Sequence, residues 1–123
     1  MKTDSRARRV LTAIGAVLAA AGVALSAYAA HAQGAGSLSS AALMALVHGV
    51  ALAALGPRPC GRLGLAALVA LALGVLLFSG ALLAAYLAGW STRPAPVGGM
   101  LMIGGWLLYA VAALRGRAAQ GET

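Results

Sequence analysis

Carboxylates are nearly missing from this chain. Asp4 and Glu122 are the only two among 123 residues, and both stand near the termini. A catalytic pair of carboxylates is therefore excluded, since that chemistry needs two such groups facing one bond. Cysteine is scarcer still. Cys60 is alone, so no intramolecular disulfide can form and no metal site of Cys/His spacing exists. There is no Walker loop, no nucleophile elbow and no G-x-G-x-x-G after a strand. No cofactor and no catalytic residue is expected, and the chain is not read as an enzyme. Charge of either sign is also thin. Charged residues make up 9% of the chain, against roughly 25% in a typical soluble domain. A small soluble protein exposes much of its surface and must cover it with polar groups. Nine basic and two acidic residues are too few for that.

What is abundant is apolar. Hydrophobic residues are 62% of the sequence, and the 17 glycines are not counted in that figure. Disorder, which needs low hydrophobicity, is thereby excluded. An integral membrane protein with a single domain over residues 1–123 remains.

The placement of the charges gives the architecture. Lys2, Arg6, Arg8 and Arg9 precede the first apolar run; Arg58 and Arg62 lie in a central loop; Arg93 is isolated; Arg115 and Arg117 follow the last run. The charge-free stretches Val10–Pro57, Leu63–Thr92 and Pro94–Leu114 are 48, 30 and 21 residues long. One helix across a bilayer needs about 20 apolar residues. The second and third stretches fit one span each, and the first fits two. Its middle, Gln33 to Ser40, is polar and rich in Gly and Ser, which reads as a loop. Ser39 or Ser40 is expected to cap the helix that follows. Gly56-Pro57-Arg58-Pro59 ends the second span, and Arg93-Pro94-Ala95-Pro96 separates the third from the fourth. The expected fold is an all-α four-helix transmembrane bundle, up-down-up-down, with spans near 10–30, 38–55, 65–88 and 97–114.

Four spans put both termini and the central loop on one side. That side carries eight of the nine Lys/Arg, and the other carries Arg93. Basic residues are retained in the cytoplasm during insertion, so both termini are expected there. The same residues face anionic headgroups. Nucleic acid is not expected as a partner, because no folded soluble surface exists to present a basic patch.

A rival reading makes the first span a cleaved signal peptide. It has a basic start, and both Ala27-Tyr28-Ala29 and Ala30-His31-Ala32 match a cleavage pattern. Cleavage would leave three spans. Against it stand the length of the run and a face of small residues at Gly15, Ala19, Gly22, Ser26 and Ala29, which suits helix packing in lipid. Similar faces recur at Ala67, Ala70, Gly74 and Ala81 and at Gly98, Gly105 and Ala112. Gly80 and Gly99 join Gly15, Gly22, Gly74, Gly98 and Gly105 as expected packing positions.

Few polar groups fall inside the spans. His48 lies near the middle of the second, and Gly49 beside it would let another helix come close. An ionisable group at that depth marks a functional position by default. The bland alternative is a neutral His bonded to a neighbouring helix. Ser26 and Ser79 sit at similar depth and could bond across the bundle, and His31 stands at the outer end of the first span. His48, His31, Ser79 and Ser26 thus form a candidate intramembrane polar cluster. Tyr28, Tyr86 and Trp90 fit one interface and Trp106 and Tyr109 the other, as anchors.

Several of these runs resemble one family. The end of the first helix, Ala27-Tyr28-Ala29-Ala30-His31, is similar to a G-A-F-G-A-H-like run. His48-Gly49-Val50-Ala51-Leu52, Gly74-Val75-Leu76-Leu77-Phe78-Ser79-Gly80-Ala81-Leu82, Pro96-Val97-Gly98-Gly99 and Gly105-Trp106 fit the runs of the other three helices. Together they resemble the small four-helix bacterial inner-membrane proteins of the YgdD/YwdK type, domain-of-unknown-function family 423. The likeness spans about Leu11 to Leu114. It implies fold and location in a bacterial inner membrane and supplies no activity. The expected role is a structural or accessory membrane component, self-associating or supporting a larger complex. A transporter or channel for a small neutral or weakly basic solute is the alternative.

Overall fold

The computed structural model describes residues 2–121, without the side chains of residues 117–120. Glu122, and the side chain of Arg117, lie outside the described residues. The chain forms four helices: α1 (Lys2–His31), α2 (Gly36–Leu55), α3 (Gly61–Ala88) and α4 (Pro94–Gly121). All four are long and apolar enough to cross a membrane.

Each helix is longer than its expected span, mostly at the N-terminal end. α1 starts at Lys2 rather than near Val10, because Arg and Ala are good helix formers and Asp4 sits favourably in the first turn. Ser5 and Thr12 satisfy their hydroxyls on the helix itself, donating to the carbonyls of Lys2 and Arg8 at 3.0 and 2.7 Å. α4 starts at Pro94 rather than Val97. Proline is tolerated in a first turn, where its missing N–H has no intrahelical partner anyway.

The expected loop over residues 33–40 is shorter than its composition implies. Only residues 32–35 separate α1 from α2. Ser39 and Ser40 do not cap α2. Its N-cap is Ala35, without a side-chain cap, and both serines lie inside the helix, donating to the carbonyls of Ala35 and Gly36. The reason is Leu38, which is completely buried against Ala29 and Ala35. α3 ends at Gly89, whose φ of 70° is left-handed. Gly89 and Trp90 donate backwards to the carbonyls of Ala85 and Ala84, closing the helix.

α1 packs on α2, and α3 on α4, far more extensively than the two pairs pack on each other. Both pairs meet through the same device. A Cβ added at Gly15 would fall 2.5 Å from the Ala53 nitrogen and 2.7 Å from the Gly49 oxygen; one at Gly49 would fall 2.5 Å from the Ala19 nitrogen and 2.7 Å from the Gly15 oxygen. In the second pair, a Cβ added at Gly74 would fall 2.8 Å from the Gly98 oxygen and 2.9 Å from the Met102 nitrogen; one at Gly98 would fall 2.6 Å from the Gly74 oxygen and 2.5 Å from the Phe78 nitrogen. Each contact is a glycine against a glycine, closed by the amide four residues further along the partner helix. Backbone approaching backbone in this way is how helices associate where no hydrophobic drive separates side chain from solvent.

Gly22, against Leu46, and Gly105, against Leu71, extend these seams. A Cβ added at Gly80 would have nothing within 4 Å, and one at Gly99 would meet only a ring carbon of Phe78 at 4.0 Å, so these two are not seam positions. On α1 the buried line runs through Leu11, Gly15, Gly22 and Ala29, with Leu18 and Leu25 partly buried between them. The expected face shares Gly15, Gly22 and Ala29 with this line; Ala19 is partly buried beside it, where its nitrogen faces Gly49, and Ser26 alone of the expected positions is exposed.

One cluster joins all four helices: Leu11, Leu52, Leu68, Leu71, Val75 and Met102. Outside it the surface is apolar all round. Val17, Leu43, Val50, Leu73, Leu87 and Leu107 are all exposed. Water disfavours so continuous a surface, whereas hydrocarbon does not.

Candidate functional site

The interior holds two polar side chains, His48 and Ser79, among the described residues. His48 projects from α2 and is 6% exposed. Its Nδ1 lies 2.9 Å from the Met44 carbonyl, one turn back on the same helix. Its Nε2 lies 3.1 Å from Nε1 of Trp106 on α4. These neighbours fix the protonation. A carbonyl only accepts and an indole N–H only donates, so Nδ1 carries the proton and Nε2 presents its lone pair. The imidazole is neutral and both nitrogens are engaged.

The register explains why the two side chains meet. His48 and Trp106 are each the thirteenth residue of their helix, about 18 Å from its first residue at 1.5 Å per residue. The rings stand 5.9 Å apart at 52°. Trp106 continues to Tyr109 by an edge contact at 6.5 Å. Trp106 is therefore more than the interfacial anchor expected of it: its indole N–H supplies the donor that His48 needs. The sequence placed the two in different roles because no pattern links positions 58 residues apart.

Ser79 on α3 donates to the Ala41 carbonyl on α2 at 2.8 Å. It does not bond Ser26, which is exposed on α1, and His31 is exposed at the end of the same helix. The four positions expected as a polar cluster are thus split. His48 and Ser79 lie inside, each tying α2 to a neighbour, while Ser26 and His31 face outward. Among the described residues every buried side-chain nitrogen and oxygen has a hydrogen-bond partner. No group of three His, Cys, Asp or Glu side chains comes together there.

Two further features were only partly visible in the sequence. Tyr28 and Tyr86 pair edge to face at 6.4 Å and 82°, joining α1 to α3. Cys60, at the start of α3, folds over Gly64, where a Cβ would fall 2.5 Å from its own. Partial burial pushes the Cys60 thiol above its ordinary pKa, and the nearby positive charge of Arg8 opposes that rise.

No family model matches the chain, and no curated protein or solved structure does either. Fold and site geometry alone define a four-helix bundle in which, among the described residues, every buried side-chain polar atom has a hydrogen-bond partner.

Proposed function

We propose that this is a small multi-pass protein of the bacterial inner membrane and a structural or accessory component there, not an enzyme. The observation that carries the reading is the saturation of the interior. His48 and Ser79 spend their hydrogen-bonding capacity on neighbouring helices, and Asp, Glu, Lys and Arg are absent from the apolar stretches. A solute path needs polar groups free to exchange partners, and an active site needs a reactive one. The resemblance to the YgdD/YwdK-type proteins supports the membrane location and supplies no activity.

The helices run up-down-up-down with both termini in the cytoplasm. The order of the seam contacts supports this. Gly15 meets Ala53 while Gly22 meets Leu46, and Gly98 meets Phe78 while Gly105 meets Leu71, so rising positions on one helix meet falling positions on its partner. Basic groups from different segments also gather at one end: Arg8 lines a cleft with Pro59 and Cys60, and Arg58 and Arg62 line another with Arg115. Retention of positive charge in the cytoplasm orients that end inward.

The partners are the lipid bilayer and a second copy of the chain or another membrane protein. Photocrosslinkers placed at Val17 on α1 and Leu107 on α4, both exposed, test this in native membranes. A discrete protein adduct from either position is expected. Lipid adducts alone, from a chain that stays monomeric, would refute the accessory reading.

A further inference from the structure

The basic end of the bundle carries more than scattered charge. A cleft of about 790 Å³ opens there, between the α2–α3 connection and the last turns of α4. That is within the range of ligand pockets, roughly 300–1,000 Å³. Three arginines line it, and they come from three separate segments: Arg58 from the connection, Arg62 from the first turn of α3 and Arg115 from the C-terminal part of α4. All three are exposed. The only carboxylate among the described residues, Asp4, lines the neighbouring cleft with Arg8. The floor of the large cleft is apolar, with Leu55, Tyr109 and Ala112 among its walls.

Three like charges around one concavity repel each other, and each is a planar fork matched to two oxygens of a phosphate. A second feature adds to this. The first turn of α3 opens onto the cleft at Gly61 and Arg62, and its N-cap, Cys60, makes no side-chain cap bond, so backbone N–H groups there can donate to the oxygens of an anion. The apolar walls need a different complement: hydrocarbon or glycerol carbons attached to the anion.

We propose that this cleft binds a phosphodiester-bearing amphiphile, an anionic phospholipid headgroup with its glycerol and upper acyl carbons lying against Leu55, Tyr109 and Ala112. Three guanidiniums exceed what one phosphodiester neutralises, so a headgroup with two phosphates, of the cardiolipin kind, is preferred to one with a single phosphate. The proposal rests on the reading that this end of the bundle lies at headgroup level. It goes beyond general attraction of basic residues to an anionic leaflet, because it requires these three arginines together.

The test is native mass spectrometry of the full-length chain released from mild detergent, titrated in separate arms with cardiolipin, phosphatidylglycerol, phosphatidylcholine and inorganic phosphate. Wild-type protein is expected to retain one cardiolipin roughly tenfold more tightly than phosphatidylcholine, with phosphatidylglycerol between them. The combined variant Arg58→Gln/Arg62→Gln/Arg115→Gln is expected to lose that preference. A control with the same charge change elsewhere, Arg6→Gln/Arg9→Gln/Arg93→Gln, is expected to keep it. Changing the three cleft arginines to lysine keeps charge without the fork and is expected to lose part of it. Equal losses in the two glutamine variants, or cardiolipin bound no better than phosphatidylcholine, would overturn the site. Binding of inorganic phosphate as tight as that of the lipids would support the arginine site but replace the lipid with a soluble phosphate. The membrane reading fails separately, by recovery of the folded chain from a detergent-free extract.

Discussion

Adding a single methyl group at Gly49 should pry the first helix pair apart. An alanine Cβ there would lie 2.5 Å from the Ala19 nitrogen and 2.7 Å from the Gly15 oxygen. Both are backbone atoms, so no rotamer change relieves the contact. Reaching ordinary van der Waals distance, 3.4 Å or more, requires α1 and α2 to separate by about 1 Å along the seam. Overpacking of this kind costs about 1–3 kcal/mol, and the better helix propensity of alanine returns less than about 1 kcal/mol of it. Gly49→Ala is therefore expected to destabilise the bundle by about 1–2 kcal/mol. Gly80→Ala and Gly104→Ala, where nothing lies within 4 Å, should be neutral or slightly stabilising. Gly15→Ala should match Gly49→Ala, and the double variant should cost less than the two added, because the first change already opens the seam. The assay is reversible unfolding of purified protein from mild detergent into sodium dodecyl sulfate, followed by Trp106 fluorescence in a Trp90→Phe background. Equal stabilities for Gly49→Ala and Gly80→Ala would refute the glycine seam.

Other perturbations are equally direct. Trp106→Phe removes the indole donor from His48, and a double-mutant cycle with His48→Leu in the same unfolding assay (far-ultraviolet circular dichroism replacing fluorescence) should give a coupling of about 0.6 kcal/mol, the average for such bonds in membranes; no coupling would mean that the bond does not form in lipid. Ser79→Ala should cost a similar, small amount, while Ser26→Ala and His31→Gln leave the unfolding midpoint unchanged, since both residues face outward. The raised pKa of Cys60 leaves less thiolate at neutral pH than an ordinary thiol has, so alkylation by iodoacetamide should be slow and its rate should climb at higher pH than for free cysteine. Arg8→Gln removes the charge that favours the thiolate and should move this profile further upward; a shift downward would contradict the assignment.

The number of helices and their centres were legible in the gaps between Lys and Arg together with the polar Gly/Ser stretch that divides the longest gap, because charge is excluded from a span for a reason that any sequence displays. The ends were less so. α1 continues through Arg6, Arg8 and Arg9 and α4 through Pro94 and Pro96, since charge and N-terminal proline limit burial in lipid but not helix formation itself. The Gly/Ser stretch misled at Ser39 and Ser40, where the burial of Leu38 decided the helix start. Small residues in α1 showed that a packing face exists but not which of them the partner helix covers; Gly15, Gly22 and Ala29 are buried, and Ser26 is left exposed. The His48–Trp106 bond lay beyond sequence reasoning, because it depends on the register between α2 and α4, which no local pattern encodes. The basic cleft is similar: Arg58, Arg62 and Arg115 are conspicuous singly, and only the fold sets them around one cavity.

The four crossings are tested most directly by labelling single cysteines with a membrane-impermeant maleimide in a Cys60→Ser background. Thr3→Cys, Ser37→Cys, Arg58→Cys and Ser91→Cys report on the N-terminus, the first turn of α2 and the two later connections, and all four positions are exposed. Intact spheroplasts should label at positions 37 and 91 alone, with positions 3 and 58 reacting only after permeabilisation. Labelling of positions 3 and 37 from the same side would contradict the account.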